Sequence, residues 1–136
     1  MTISISKVET RLQLLRRLEE SDDYGYCSCV TCGNPYHYKD MHGGHFLARE
    51  CKEVSLMRIG INPQCQQCNS FDMQAKQSTR DAYRAFMIDS YGIDTVETLE
   101  AIQRARKAFK IGKPALHVML KEINAEIKVH TKRVGG

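Results

Sequence analysis

Hydrophobic residues recur at helical spacing toward both ends of the chain and lose that spacing in the stretch between. From Lys7 to Glu20, Val8, Leu12, Leu15 and Leu18, with Leu14 alongside, fall on one helical face, and Ser21-Asp22-Asp23 with Gly25 ends the run. The pattern predicts a leading helix over 7–20. Residues 24–67 show no helical period, and turn chemistry at Gly33-Asn34-Pro35, Gly43-Gly44 and Asn62-Pro63 divides them into short strands and loops. So little regular apolar pattern cannot pack by itself, which makes a metal the expected staple.

Helical spacing returns after Cys68. Tyr83, Phe86, Met87 and Tyr91 share a face of a helix expected from Thr79 to Tyr91, with Gly92 as its stop. Asp94 with Glu97 reads as a capping-box start for a second helix through Val96, Leu99, Ile102, Ala105 and Phe109, closed by Gly112. Pro114 suits the first turn of a final helix through Leu116, Met119, Leu120, Ile123 and Ile127. Its opposite face and tail carry Lys121, Lys128, Lys132 and Arg133. These apolar stripes read as core packing.

Length and composition narrow the class. A chain of 136 residues with 42% hydrophobic and 26% charged residues fits one globular α+β domain, too apolar to stay disordered. Within it we expect a leading helix at 7–20, a stapled core at 24–91 and a helical extension at 94–136. Apolar runs such as Ala85-Phe86-Met87-Ile88 fall far short of a bilayer span, and Met1 to Ser6 lacks the features of a signal peptide, so a cytoplasmic protein without a membrane partner is expected. In that setting six cysteines are more readily metal ligands and spare thiols than disulfides.

The net charge of +4 conceals an asymmetry, because residues 1–100 hold 11 Lys+Arg against 14 Asp+Glu and residues 101–136 hold 9 against 2. The C-terminal quarter is thus a cationic arm at +7. Arg104, Lys107, Lys121, Lys128, Lys132 and Arg133 are its candidate phosphate contacts, joined by Arg49 from the core.

The sharpest chemical signal is Cys29-Val30-Thr31-Cys32 followed by Cys65-Gln66-Gln67-Cys68. A two-residue gap lets one turn aim two thiolates at one ion, and two such pairs supply the four sulfurs of a closed structural Zn²⁺ site. Cys27 and Cys51 are left outside it. Between the pairs lies His42-Gly43-Gly44-His45-Phe46, and Asn69 and Asp72 follow the second pair. If zinc draws the two knuckles together, His42, His45, Asn69 and Asp72 can converge on a hard cation such as Mg²⁺, beside an imidazole able to accept a proton.

Cysteine knuckles enclosing a Gly-His-aromatic segment, with Cys-x-x-Cys-Asn leading into a helix, resemble HNH nucleases of the ββα-metal (His-Me finger) class. Cys29-Val30-Thr31-Cys32-Gly33, Gly44-His45-Phe46-Leu47-Ala48-Arg49, Pro63-Gln64-Cys65-Gln66-Gln67-Cys68-Asn69, then Tyr83 and Tyr91-Gly92 together resemble the lambda NinG (Rap) family of phage recombination endonucleases. That resemblance implies a zinc-stapled ββα-metal core and an endonuclease acting on branched, Holliday-junction-like DNA with Mg²⁺ or Mn²⁺. His45 matches the motif histidine, as general base or metal ligand, since Gly44 cannot supply the ligand many HNH enzymes place there. His42 stands where relatives often carry Asp. Asn69 matches a metal ligand of the junction-resolving endonuclease VII type, and Asp72 falls where that type has an acidic side chain. Asn62, near the usual place of the central HNH asparagine, either orients the histidine or begins the Asn62-Pro63 turn.

A homodimer joined through the C-terminal helices would suit paired incisions. The rival reading is a zinc-bound nucleic-acid-binding module without catalysis, served by the same knuckles and arm and by Tyr36 and Tyr38.

Overall fold

The leading helix forms where the apolar stripe requires it. In a computed structural model that describes residues 3–48 and 50–134, α1 spans Ile5–Glu19 and Ser4 caps it by accepting from Lys7 N–H. Val8, Leu12, Leu15 and Leu18 are buried along it. Two charged residues lie on the same buried face, Glu9 and Arg16.

The middle of the chain forms two small antiparallel sheets. Strands β1 (Tyr26–Ser28) and β2 (Pro35–His37) make a hairpin around the first knuckle, with Gly33 in the left-handed region at φ +80° just before β2. Strand β3 (Met41–His45) pairs with β4 (Ile61–Cys65), Met41 opposite Cys65 and His45 opposite Ile61. The single turn α2 (Lys52–Ser55) lies in the connection between them.

Two turns expected from the sequence are strand instead. Gly43 and Gly44 lie within β3 because the strand is approached closely on both faces: a Cβ at Gly43 would come within 2.6 Å of Gln13 Cβ, and one at Gly44 within 1.9 Å of Gln64 Oε1. Pro63 lies in β4 opposite Gly43, where its carbonyl accepts from Val30 N–H.

After the second knuckle the chain makes a π-helical turn over Cys68–Asp72 that runs into α3 (Met73–Ala75), then α4 (Gln77–Tyr91), α5 (Ile93–Ala105) and α6 (Lys113–Val134). Gly92 stops α4 with φ +89° and its N–H on Ile88 O. The capping box is not used: Gly92 caps α5, and Asp94 sits inside the first turn without a capping bond. That helix also ends sooner than its apolar spacing suggests, at Ala105, because Arg106 turns left-handed (φ 48°) and leaves Phe109 in the connector.

Helix α6 packs along α1, and α1 packs in turn on both strands of the β3–β4 hairpin. Leu116, Ile123 and Ile127 join Val8, Leu12, Leu15 and Leu18 in one apolar core. On the hairpin's other face α4 docks through Tyr83 and Met87, which with Val54, Val96 and Leu99 form a second core. The β3–β4 hairpin is therefore held between two helical layers.

Candidate functional site

The knuckles converge as their spacing requires. The sulfurs of Cys29, Cys32, Cys65 and Cys68 all lie within 4.8 Å of one another, with Cys32 Sγ 3.9 Å from Cys65 Sγ. In a tetrahedral Zn²⁺ site with Zn–S of ~2.3 Å, sulfurs lie about 3.8 Å apart, so the four are close enough to hold a structural metal such as zinc. Burial opposes ionisation of Cys29, but hydrogen bonds from the Thr31 hydroxyl and from nearby backbone N–H groups outweigh it and bring the thiol down to about 6. Burial, with the neighbouring Cys65 and Cys29 sulfurs, pushes Cys68 well above an ordinary thiol. Packed thiolates suppress one another's ionisation, and a divalent cation at their centre removes that conflict. Among the described residues this is the one cluster of three or more His, Cys, Asp or Glu ligands. Cys27 is buried beside it and Cys51 is half-buried away from it, both as free thiols.

A cleft of about 910 Å³ runs along the open edge of β3. Gln13 and Arg17 of α1 line one side, and Gln77, Arg80, Asp81 and Arg84 of α4 line the other together with Glu100 and Gln103 of α5. His42, His45 and Asn69 all line it. Asn69 Nδ2 lies 2.9 Å from His42 Nδ1, so the turn after the second knuckle does bring these two side chains together.

His45, three residues along the strand, projects from the opposite face of the hairpin. Its Nε2 is 3.1 Å from the carbonyl oxygen of Ser55, which can only accept, so Nε2 carries a proton and donates it there. Ser55 is in turn fixed by its hydroxyl, which donates to Glu9 Oε1 at 2.7 Å, and Lys52 Nζ lies 3.3 Å from the same oxygen. An anionic group held at the rim of β3 would thus have the His42–Asn69 pair on one side and the oriented imidazole on the other.

The remaining sequence candidates are placed elsewhere. Asp72 is not in the cleft; its carboxylate accepts from Gln67 Nε2 and pairs with Lys76. Asn62 neither orients a histidine nor begins a turn. It is fully buried in β4, accepting from Arg16 Nη2 and donating to Ile59 O and Tyr83 Oη, which ties α1 and α4 to the hairpin. Tyr83 donates onward to Gly44 O at 2.6 Å.

Of the candidate phosphate contacts, Arg104, Lys107, Lys121, Lys128 and Lys132 are exposed. Arg133 is not available: its guanidinium donates to Leu18 O and Ser21 O and pairs with Asp23, so it closes the C-terminal end of α1 against α6. Arg49 lies outside the described residues.

Sequence reasoning missed Arg80 and Arg84 on the cleft wall and the Glu9–Ser55 link behind His45. The second had a visible signal, since Glu9 and Arg16 are charges inside the apolar stripe of α1, and a buried charge needs a partner. No described helix is long and apolar enough to cross a membrane.

A four-cysteine cluster that could hold a structural metal such as zinc, beside a histidine- and asparagine-lined cleft, sits in a mixed helix and small-sheet (α+β) domain. The sequence matches the family described as Bacteriophage Lambda NinG protein over residues 13–133. The chain belongs to that family. No curated protein and no solved structure gives a significant match to it.

Proposed function

We propose that this protein is a metal-dependent endonuclease that hydrolyses phosphodiesters of branched DNA during phage recombination, with the β3–β4 hairpin and the turn and helices after Cys68 acting as a ββα-metal core. The observation that carries the reading is the contact of His42 with Asn69 in the cleft, with His45 held by Ser55 on the other side of the same strand. A zinc-bound scaffold alone has no need of either.

The donor set fits a hard divalent cation. His42 Nδ1 offers a lone pair, and a half-turn of the Asn69 amide brings its oxygen to the place its nitrogen now holds. Two neutral protein ligands suit an ion that keeps several waters and binds substrate phosphate. Mg²⁺ or Mn²⁺ held there would supply neutralisation of charge on the scissile phosphate. His45 takes a proton from the attacking water, while Ser55 O holds the ring by its Nε2–H. Arg80 and Arg84 face the substrate across the cleft, steadied by Met73 O and Gln74 O and by Glu100. Exposed Lys121, Lys128 and Lys132 on α6 add sequence-independent attraction for the backbone. Products would carry a 5′ phosphate.

The non-catalytic reading draws on Tyr36, which is 36% exposed, whereas Tyr38 is half-buried against two of the apolar clusters; Tyr24 and Tyr26, 82% and 51% exposed, offer further faces on which bases could stack. Incubating the protein with a four-way junction, a linear duplex and a single strand, with Mg²⁺, with Mn²⁺ and with EDTA, separates the two. We expect metal-dependent cleavage of the junction in preference to the others. Tight binding with no cleavage under either metal would overturn the endonuclease and leave the binding module.

A further inference from the structure

Most arginines of this chain have a partner within the protein. Arg16, Arg17, Arg58, Arg80, Arg84 and Arg133 each donate to a carboxylate, a carbonyl or a side-chain amide. The connector between α5 and α6, taken with the last turn of α5 and the first residue of α6, is the reverse. Residues 104–113 hold five cations, Arg104, Arg106, Lys107, Lys110 and Lys113, and no acid. All five are exposed, and among the described residues none makes an ion pair or a side-chain hydrogen bond, although Arg104 is near enough to the Glu100 carboxylate to help lower its pKa. So dense a positive charge with so little counter-charge repels itself, and it is relieved by a polyanion.

Two further observations concern shape. Arg106 is the one described non-glycine residue with positive φ, at 48°, a conformation L side chains rarely adopt, and it turns the chain out of α5. The turn leaves Phe109 in the middle of the cations, 37% exposed and outside all three apolar cores, although its neighbour Ile111 packs onto one of them. The connector also starts at the cleft. Gln103 lines the cleft and accepts from Ala48 N–H at 3.0 Å, and Arg104 is the next residue.

We infer that this connector is the element that selects branched DNA: its cations hold the phosphate backbone of one duplex arm at the cleft, and Phe109 stacks on the base step left open at the branch point. An aromatic wedge must unstack bases to enter a continuous duplex, but at a branch the stack is already broken, so the same side chain favours the branch over the linear form. The inference rests on DNA being the substrate, yet it concerns binding and not hydrolysis.

Affinity measured without divalent metal, in EDTA, tests it independently of cleavage. A fluorescent four-way junction and a linear duplex of matched arm sequence are titrated across a salt series with the full chain, with Phe109→Ala, with Phe109→Trp and with Lys107→Gln/Lys110→Gln/Lys113→Gln. Zinc content and the melting curve check that each variant is folded. We expect Phe109→Ala to weaken junction binding roughly tenfold while leaving duplex binding and the salt slope unchanged, and Phe109→Trp to restore the preference. The triple variant should reduce the slope of log affinity against log salt by up to about 2.7 on both DNAs. Loss of junction and duplex affinity in equal measure on Phe109→Ala, or an unchanged slope in the triple variant, would overturn the proposal. A protein that behaves as expected here and cleaves nothing under Mg²⁺ or Mn²⁺ would keep the branch-reading connector and lose the nuclease. Cleavage by variants that bind as wild type would do the opposite.

Discussion

The α1–α6 layer and the segment from Tyr24 to Lys76 are held by different physics. In the first, Val8, Leu12, Leu15, Leu18, Leu116, Ile123 and Ile127 are buried against one another, and ordinary apolar burial accounts for their packing. Around the knuckles the buried cluster is Cys27, Cys29, Met41, Cys65 and Cys68, nearly all sulfur. The β3–β4 hairpin contributes buried amides, Asn62 and Gln64, where a larger protein would have aliphatic side chains. Each buried polar group is an obligation, and most are met by a named partner such as Arg16, Tyr83 or Thr31. The difference explains why the candidate chemistry sits where it does. A region organised by directional bonds and a metal can hold polar side chains at fixed positions, which an apolar core cannot.

The comparison breaks most visibly at the four-cysteine cluster. Structural zinc contributes on the order of 10 kcal/mol in small metal-stapled domains. Chelation, or Cys65→Ser, should therefore disorder the hairpins and abolish any function of the cleft while much of the helical signal of α1 and α6 survives. Metal analysis should give one zinc per chain, and chelator titration followed by circular dichroism should show helix retained while cooperative melting is lost. A chain that binds no zinc and melts unchanged after chelation would show that the sulfur cluster supports itself.

Next in size is the effect of His45. Removing a general base costs about a hundredfold or more in rate, whereas affinity should barely move if the imidazole acts on water as proposed. His45→Ala should thus lose turnover at unchanged junction affinity. His42→Ala should instead shift the metal concentration required, with partial recovery at high Mn²⁺. Wild-type cleavage by His45→Ala would remove it from the chemistry.

These two regions were also unequally legible in the sequence. Helical periodicity located α1, α4 and α6 closely, since burial on one face leaves a direct record in residue spacing. The knuckles were legible because metal coordination fixes spacing as strictly as a helix does. What could not be read was local backbone choice under tertiary constraint. Gly43-Gly44 and Asn62-Pro63 carry turn chemistry, yet they are strand because Gln13 and Gln64 press on one pair and β3 holds the other. The early end of α5 turns on a left-handed Arg106, which no propensity favours. Likewise Arg133 reads as a phosphate contact in the sequence, but Leu18 O at the end of α1 and Ser21 O just past it hold its guanidinium. The His42–Asn69 contact was anticipated, but Asp72 was not excluded by spacing; its commitment to Gln67 and Lys76 is a matter of three dimensions.

A smaller effect should sharpen the link between the two regions. Glu9 belongs to the apolar face of α1 but reaches across to Ser55, whose carbonyl accepts from His45. Glu9→Gln keeps an acceptor oxygen for the Ser55 hydroxyl and removes the charge, so the hydrogen bond should weaken by about 1 kcal/mol. We expect a loss of roughly fivefold in kcat with KM and zinc content unchanged, and a larger loss in Glu9→Ala, which leaves Ser55 without that acceptor. A fall in melting temperature at unchanged kcat would make Glu9 a packing residue only.

The smallest expected effect lies where α6 meets the start of β4. Arg58 forms a two-pronged pair with Glu126, one prong 2.9 Å between Nη1 and Oε1, and the hydrogen bonds from Arg58 hold the Glu126 carboxyl below its ordinary value. A carboxyl whose folded pKa is depressed adds stability above its unfolded value, near ~4.3, and loses it as the pH falls through the lower folded one. The pair is wet, with side chains 40% and 43% exposed, so solvent screens it and its worth should stay below about 1 kcal/mol. Glu126→Gln should accordingly lower the melting temperature by a few degrees at pH 7 and by progressively less as the pH falls through the depressed folded value, where the wild type loses the same charge. High salt should shrink the difference at pH 7 as well. A larger loss that persists at low pH and high salt would mean that α6 is fastened to β4 by packing, and the polar region would then depend less on ion pairs at its border than its interior does.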